Sequence, residues 1–215
     1  MKSLFIDSSR KKLSVILYNN DTVEFSSDVE SYSKHSNYLM NEIKRGLDLT
    51  NTQISDIDNF IVLNGPGSFT GIRIGVTVAK TLSWVLNKKL FVLSNLEALT
   101  PGINNDMIIS VIYDKDDNSY VGIYHGDTKT EGYLSIDDDL LNIKDKNITL
   151  VSLDKNNYLL KLYDLLNKEN NKVSLNILED YDYNKVINLA LSKNNINPHL
   201  AKPIYLKKID AEKKN

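Results

Sequence analysis

A glycine-rich junction between a short apolar run and a helix constrains this chain more than any other feature. The apolar residues 60–63 precede the segment Asn64-Gly65-Pro66-Gly67-Ser68-Phe69-Thr70-Gly71, and a short, bounded apolar run is typical of a buried strand. The Gly-Pro-Gly triplet ends that strand. Ser68 or Thr70 is suited to cap the next helix, because its side-chain oxygen can accept a hydrogen bond from a first-turn amide. The junction therefore predicts a strand, a tight turn and a helix in succession.

The helix that follows, which we expect to end near Leu86, carries a small residue at every fourth position: Gly71, Gly75, Ala79 and Ser83. Residues four apart share one face of a helix. Each glycine inside a helix costs about 1 kcal/mol relative to alanine, so the stripe indicates that another backbone approaches closely. The sequence leaves open whether that backbone belongs to this chain or to a partner.

The junction does not match the common phosphate-binding motifs. A Walker A loop requires lysine after its last glycine, and Ile72 follows Gly71. The dinucleotide fingerprint also fails, because Gly71 arrives one residue late. Free amides at the helix start leave some anion affinity open, but a tight turn with close helix packing is the favoured interpretation.

Apolar patterns predict the remaining elements. Three short strands, a helix from about Ser33, the strand before the junction, the junction helix and a strand at Leu90–Leu93 give the order β-β-β-α-β-α-β. Pro101-Gly102 marks the predicted domain boundary. Weaker signals beyond it predict strands near residues 107–113, 120–124, 132–134 and 148–151, and helices near 157–167 and 183–192.

The junction, with Ala79-Lys80 after it, resembles the signature of the TsaB (YeaZ) family. Further similar segments are Leu4–Ser9, His35-Ser36, Ser94–Leu99 and Pro203–Lys207, while the resemblance is faint between Ile103 and Asn197. It implies an α/β fold of the actin-like, ribonuclease-H-like ATPase superfamily, with two β-sheet lobes flanked by helices. We expect residues 1–100 to form the lobe that carries the junction, and residues 101–215 a degenerate second lobe whose C-terminal segment can pack back on the first.

The resemblance also implies a function. Proteins of this family are non-catalytic subunits that dimerise with a TsaD-type catalytic subunit, engage a TsaE-type ATPase, and support the transfer of a threonylcarbamoyl group to adenosine in tRNA, which they contact indirectly. The resemblance leaves open whether the chain forms a homodimer when the partner is absent, and the expected location is the cytoplasm. The residues expected at the partner interface are His35, Ser36, Met40, Gly71, Arg73, Gly75 and Ala79.

An actin-fold small-molecule kinase or ATPase is the alternative function. Such enzymes need an acidic phosphate loop in each lobe, and Asp7, Ser8 and Ser9 resemble a vestige of the first. Asp114 is the nearest counterpart in the second half, but Lys115 follows it where a Gly-Thr turn is expected. All nine glycines lie at or before Gly132, so the glycine-rich adenosine loop of the second lobe is missing. We therefore expect no catalytic residue and no cofactor.

Composition points away from metal, disulfide and membrane chemistry. The chain has no cysteine, and its three histidines are far apart. Alignment with the related TsaD subunit places Asn95 and Leu99 at that subunit's metal-binding histidines, so no metal is expected. The formal net charge is −2, which gives no general attraction to nucleic acid. No window approaches 18 uninterrupted apolar residues, so no membrane-spanning segment is expected.

Overall fold

The computed structural model describes residues 1–30 and 35–207, which divide into two compact units. The first unit is Met1–Asn95 with Asp182–Ile204, and the second is Leu96–Tyr181 with the segment that begins at Tyr205. The predicted helix start at Ser33 lies outside the described residues. The predicted lobes, residues 1–100 and 101–215, stay a prediction.

A five-stranded sheet in the order β3-β2-β1-β4-β5 forms the centre of the first unit. Its strands are β1 (Lys2–Asp7), β2 (Lys12–Asn19), β3 (Thr22–Glu30), β4 (Asn59–Leu63) and β5 (Lys89–Leu93). The first three strands are antiparallel neighbours, whereas β4 runs parallel to β1 and β5 runs parallel to β4. With helices α1 (His35–Leu49) and α2 (Phe69–Val85) between them, the predicted order β-β-β-α-β-α-β is confirmed.

Alternation along β1 separates the two faces of this sheet. Leu4 and Ile6 join a core cluster with residues of α1 and α2, such as Leu39 and Val76, whereas Phe5 points to the opposite face because successive side chains of a strand alternate.

The opposite face receives a helix from late in the chain, α4 (Tyr183–Leu191). The ring of Tyr183 lies 5.7 Å from that of Phe5, and Tyr18 donates a 2.8 Å hydrogen bond to the Asn188 side chain. These contacts explain why a segment so distant in sequence belongs to the first unit.

The second unit repeats the same strand connections. Its sheet has the order β10-β9-β6-β7-β8, with β6 (Met107–Lys115), β7 (Asn118–His125), β8 (Thr128–Ser135), β9 (Asn147–Ser152) and β10 (Lys172–Ile177). Three antiparallel strands again come first and two parallel strands follow, so β6 is the counterpart of β1. Two sheets of this one topology, each flanked by helices, form the actin-like, ribonuclease-H-like architecture that the resemblance implies.

The second unit is simpler than the first in its helices. Helix α3 (Asn157–Lys168) packs on the sheet through Tyr158, Leu159, Leu162 and Leu166. Between β8 and β9, where the first unit has α1, there is a single 3-10 turn, Asp139–Leu141. Strand β10 was not predicted. Within residues 1–30 and 35–207, no helix combines the length and the apolar character needed to cross a membrane.

Candidate functional site

The glycine-rich junction forms the strand, turn and helix that the sequence predicts. Strand β4 ends at Leu63, and α2 begins at Phe69. Ser68 caps the helix, since its Oγ accepts a 3.3 Å hydrogen bond from the Gly71 amide. Gly65 has a φ of +110°, a region that favours glycine. The junction thus brings the start of α2 to the carboxyl edge of the sheet, where related folds bind ligands.

The predicted phosphate-loop residues lie at this edge, and the chain's own groups occupy them. The Asp7 side chain is fully buried. Its Oδ1 accepts hydrogen bonds from the Ser9 amide (2.8 Å) and the Ser9 hydroxyl (2.5 Å), and its Oδ2 pairs with Arg10 Nε at 2.9 Å. The Ser68 amide at the start of α2 donates to the Ser9 carbonyl at 2.6 Å. Both carboxylate oxygens of Asp7 and the backbone amide of the cap residue Ser68 are therefore hydrogen-bonded within the chain.

Asn95, in the loop after β5, forms hydrogen bonds to the loops that follow β1 and β4 at the same edge. Its Oδ1 accepts a 3.0 Å hydrogen bond from the Gly65 amide, and its Nδ2 donates to Ser9 Oγ at 2.5 Å. Its backbone amide donates to the Gly65 carbonyl at 2.8 Å. Asn95 is 1% exposed, so its amide joins the carboxyl ends of β1, β4 and β5. Sequence analysis considered it only as a weak metal ligand and missed this structural role.

The small-residue stripe on α2 lies against the chain's own first strand. A Cβ added at Gly71 would lie 1.9 Å from the Ser8 carbonyl oxygen, and one added at Gly75 would lie 2.3 Å from Ser8 Oγ. Ala79 and Ser83 are fully buried. The sequence left open what fills the groove along this stripe, and the structure shows that β1 and its turn fill it. Gly71, Gly75 and Ala79 are thus inside the subunit.

The other predicted interface residues fall into two groups. His35 is buried (3% exposed), and its Cδ2 lies 3.0 Å from the Cβ position at Gly71, where α1 and α2 meet. Ser36, Met40 and Arg73 are exposed. The structure therefore separates the predicted set into a buried helix contact and an outward-facing part.

The outward-facing part includes one further apolar side chain, Phe69, that the sequence analysis did not name as an interface residue. Met40 on α1 is 50% exposed, and Phe69 at the start of α2 is 42% exposed. Tyr38 is also exposed, but it is two residues from Met40 and lies on the other side of α1. The Arg73 guanidinium lies over the Phe69 ring, 4.0 Å from its centroid. We refer to Ser36, Met40, Phe69 and Arg73 as the helical face, because Ser36 and Met40 are four residues apart on α1 and Phe69 and Arg73 are four residues apart on α2, so each pair shares one side of its helix. The sequence signal for Phe69 is an aromatic residue directly after the helix cap and outside the small-residue stripe.

Asp114, the counterpart of Asp7 in the second unit, is also bonded to other groups of the chain. Asp114, near the end of β6, accepts hydrogen bonds at its Oδ2 from Tyr133 Oη (2.7 Å) and Lys207 Nζ (2.6 Å). Burial alone would raise the pKa of the Asp114 carboxyl, but the bonds from Lys207 and Tyr133 outweigh it and lower the pKa below its ordinary value. Asp114 is therefore an ion-pair partner of the C-terminal segment.

The described residues also bear on metal binding. Among residues 1–30 and 35–207, no group of three or more His, Asp or Glu side chains is arranged to hold a metal ion. Leu99, at one of the two positions aligned with the histidines of the related subunit, is buried (1% exposed), and its side chain has no ligating atom.

Comparisons with known proteins find two groups that are named for tRNA threonylcarbamoyladenosine, TsaD and TsaB. The sequence model of the TsaD family, tRNA N6-adenosine threonylcarbamoyltransferase, matches residues 29–114. The tRNA threonylcarbamoyladenosine biosynthesis protein TsaB of Bacillus subtilis is 36% identical over 126 residues, which cover 58% of this chain and 55% of that protein. The TsaB protein of Buchnera aphidicola is 28% identical over 191 residues, 80% of this chain and 82% of that protein. The match to the Bacillus subtilis protein thus spans about half of the length of that protein.

A solved structure shows the same fold over almost the whole chain. It is a Pseudomonas aeruginosa protein described as similar to the peptidase YeaZ, and it superposes with a TM-score of 0.73 at 19% identity, covering 96% of this chain and 99% of that one. The YeaZ structure from the same organism superposes with a TM-score of 0.70 at 18% identity. This likeness shows the fold, and the junction motif and the curated TsaB relatives support the resemblance of the chain to the TsaB (YeaZ) family.

Proposed function

We propose that this chain is a non-catalytic subunit that dimerises with a TsaD-type catalytic subunit and supports the transfer of threonylcarbamoyl to adenosine in tRNA. The helical face is the observation that carries the proposal. Its two neighbouring helices expose two large apolar side chains, Met40 (50%) and Phe69 (42%). Exposed apolar surface can mark an interaction site, and aromatic residues, methionine and arginine are enriched in protein interfaces.

The nature of the partner follows from which part of the chain is shared. Residues 29–114, which match the TsaD family, include both α1 and α2. A TsaD-type subunit should therefore carry an equivalent helix pair. Like faces can pair about a two-fold axis, as in symmetric dimers, so we infer that α1 and α2 pack on their counterparts in the catalytic subunit.

The remaining members of the complex belong to the same proposal. A TsaE-type ATPase and tRNA would join through the assembled pair, and the location would be the cytoplasm. The formal net charge of −2 favours an indirect role toward tRNA, because binding to nucleic acid draws mainly on lysine and arginine contacts to phosphates.

Asp7 and Asp114, the acidic residues of the two candidate phosphate loops, are both bonded to other groups of the chain, which argues against the kinase or ATPase alternative. A nucleotide phosphate would have to displace the Arg10 and Ser9 contacts of Asp7 in one unit and the Lys207 contact of Asp114 in the other. We therefore propose that the isolated subunit binds no nucleotide. Equilibrium binding of ATP to the purified chain tests this point, and saturable binding would favour the alternative.

The test of the partner surface compares two matched substitutions on one helix. Met40→Lys places a charge on the helical face, whereas Leu49→Lys makes the same kind of change at the far end of α1, where Leu49 is 68% exposed. We expect Met40→Lys to abolish co-purification with a co-expressed TsaD-type subunit and Leu49→Lys to preserve it, with both chains folded. Equal binding by both variants would remove the helical face from the proposal.

A further inference from the structure

Positive charge is concentrated on one side of the first unit. Residues 59–95 and 183–204 together contain seven lysine or arginine residues and no aspartate or glutamate, although the whole chain has more acidic than basic residues. The first segment forms β4, α2 and β5. The second joins it where Ile196 bridges Leu90 at the outer edge of β5. This side of the first unit is therefore locally basic within a chain of net charge −2.

An exposed tryptophan lies in this basic part. Trp84, the only tryptophan of the chain, is in the last turn of α2 and is 60% exposed. Its ring meets that of His199 edge-on, with the ring centroids 5.4 Å apart. His199 belongs to a 3-10 turn that packs against α2, and the next residue, Leu200, is 68% exposed. The ring contact thus brings two exposed apolar side chains, Trp84 and Leu200, to the same end of α2.

Lysines border these apolar side chains. Lys80 precedes Trp84 by four residues, so both lie on one side of α2. Lys202 follows the 3-10 turn and is exposed. Within residues 1–30 and 35–207, no ion pair involves Lys80 or Lys202, so both charges are open to an external anion. We refer to Lys80, Trp84, His199, Leu200 and Lys202 as the tryptophan surface.

The chemistry of this surface fits an acidic protein segment better than RNA. Protein interfaces combine an apolar centre with a polar rim, and opposite charges across the rim select the partner. Trp84 and Leu200 supply such a centre, and the two lysines supply the rim. Single-stranded RNA instead needs rings for successive bases and a basic groove along its backbone. Leu200 has no ring, and the ring of His199 already lies edge-on to Trp84.

We propose that the tryptophan surface binds an acidic segment of a partner protein. An apolar side chain of that segment packs against Trp84 and Leu200, and its carboxylates pair with Lys80 and Lys202. The tryptophan surface lies at the C-terminal end of α2, whereas the helical face uses the first turns of that helix. The two surfaces can therefore be tested separately, and this one does not depend on the function proposed above.

The intrinsic fluorescence of the chain reports on this surface directly, because Trp84 is the only tryptophan. Iodide should quench its emission more efficiently than caesium at equal ionic strength, since the surroundings are basic. A short peptide that alternates leucine with pairs of glutamates should shift the emission to shorter wavelength in a saturable way. The matched peptide with lysine in place of glutamate should not. Equal quenching by the two ions, or no response to the acidic peptide, would contradict the proposal.

A charge swap tests the role of the two lysines. Lys80→Glu/Lys202→Glu should weaken binding of the acidic peptide by ~10-fold or more and should bind the lysine peptide instead. The control, Lys11→Glu/Lys155→Glu, changes the net charge equally at two exposed positions elsewhere and should keep the binding of the natural chain. An equal loss in both variants would show that only net charge matters and would overturn the proposal.

A labelled form of the same peptide tests the apolar centre by fluorescence anisotropy. Trp84→Ala should weaken its binding by ~10-fold or more, with an unchanged melting temperature because the side chain is largely exposed. Met40→Lys, on the helical face, should leave the binding unchanged. Full binding by Trp84→Ala or loss of binding in Met40→Lys would refute the assignment. Tighter binding of an oligouridylate of equal charge, through the same lysines, would assign the surface to RNA and overturn the proposal.

Discussion

Two single alanine substitutions on α2, Gly71→Ala and Gly75→Ala, should affect the stability of the protein differently. The new methyl group meets a fixed backbone atom in the first variant and a movable side chain in the second. The Cβ introduced by Gly71→Ala would lie 1.9 Å from the Ser8 carbonyl oxygen, whereas that of Gly75→Ala would lie 2.3 Å from Ser8 Oγ. A carbonyl at the end of a buried strand can move only if the sheet moves. A serine hydroxyl can rotate away at the cost of the 2.8 Å hydrogen bond that it donates to the Gly71 carbonyl.

The magnitudes follow from opposing contributions. Overpacking costs ~1–3 kcal/mol, and a contact as short as that at Gly71 belongs near the upper end. Replacing glycine by alanine in a helix returns about 1 kcal/mol. Gly71→Ala should therefore lower the free energy of unfolding by roughly 2 kcal/mol. Gly75→Ala loses a hydrogen bond worth ~0.5–1.5 kcal/mol and gains the same helix propensity, so its net effect should be close to zero.

A double-substitution experiment isolates the cause. In a Ser8→Ala background the hydroxyl is gone, so Gly75→Ala should stabilise the protein by about 1 kcal/mol, while Gly71→Ala should stay as destabilising as before. Thermal unfolding measures both effects, at ~2–4 °C per kcal/mol for a chain of this length. Thr77→Ala, at an exposed position of α2, controls for helix propensity. If Gly71→Ala melted at or above the temperature of the natural chain, the packing of the stripe against β1 would be refuted.

Three further predictions concern chemistry and pH. The isolated chain should show no threonylcarbamoyl transfer, peptidase or ATPase turnover; activity that Asp7→Ala abolished would contradict this. After dialysis, elemental analysis should find no stoichiometric zinc or iron, since Asn95 and Leu99 stand where a ligand pair is needed; one tightly held metal per chain would overturn the alignment. Because the folded pKa of Asp114 is lowered, its contribution to stability is present above the ordinary value of about 4 and is lost as the pH falls through the folded pKa. Lys207→Met should raise that pKa in an NMR titration, and an unchanged value would show that the ion pair does not form in solution.

Local signals predicted most of the fold. The short apolar runs of β1 and β4, the Ser68 cap and the glycine break act within a few residues, and each appears where the sequence places it. Strand β10 was missed because, within an asparagine- and lysine-rich stretch, it has no continuous apolar run. Its alternation of apolar and polar residues, which is typical of a half-buried strand, is the signal that could have found it. The segment forms a strand because it pairs with β9.

Two features of the site depend on contacts between residues distant in sequence, so they could not be predicted from the sequence. A stripe of small residues such as Gly71 and Gly75 indicates close approach but not the identity of the neighbour, and only the fold brings Ser8 to it. Likewise, the role of Asn95 depends on hydrogen bonds to two loops distant in sequence. The exposed residues Ser36, Met40 and Arg73 were predicted for the partner surface, and their part in it stays a prediction.

Reconstitution of the modification reaction tests the central proposal most directly. A TsaD-type subunit, with its other components and unmodified tRNA, would be assayed for threonylcarbamoyladenosine formation without this chain, with it, and with Met40→Lys or Leu49→Lys in its place. We expect product formation to require this chain, to fail with Met40→Lys and to be retained with Leu49→Lys. Equal product formation in the absence of this chain, or full support by Met40→Lys, would contradict the account of a partner subunit that acts through its helical face.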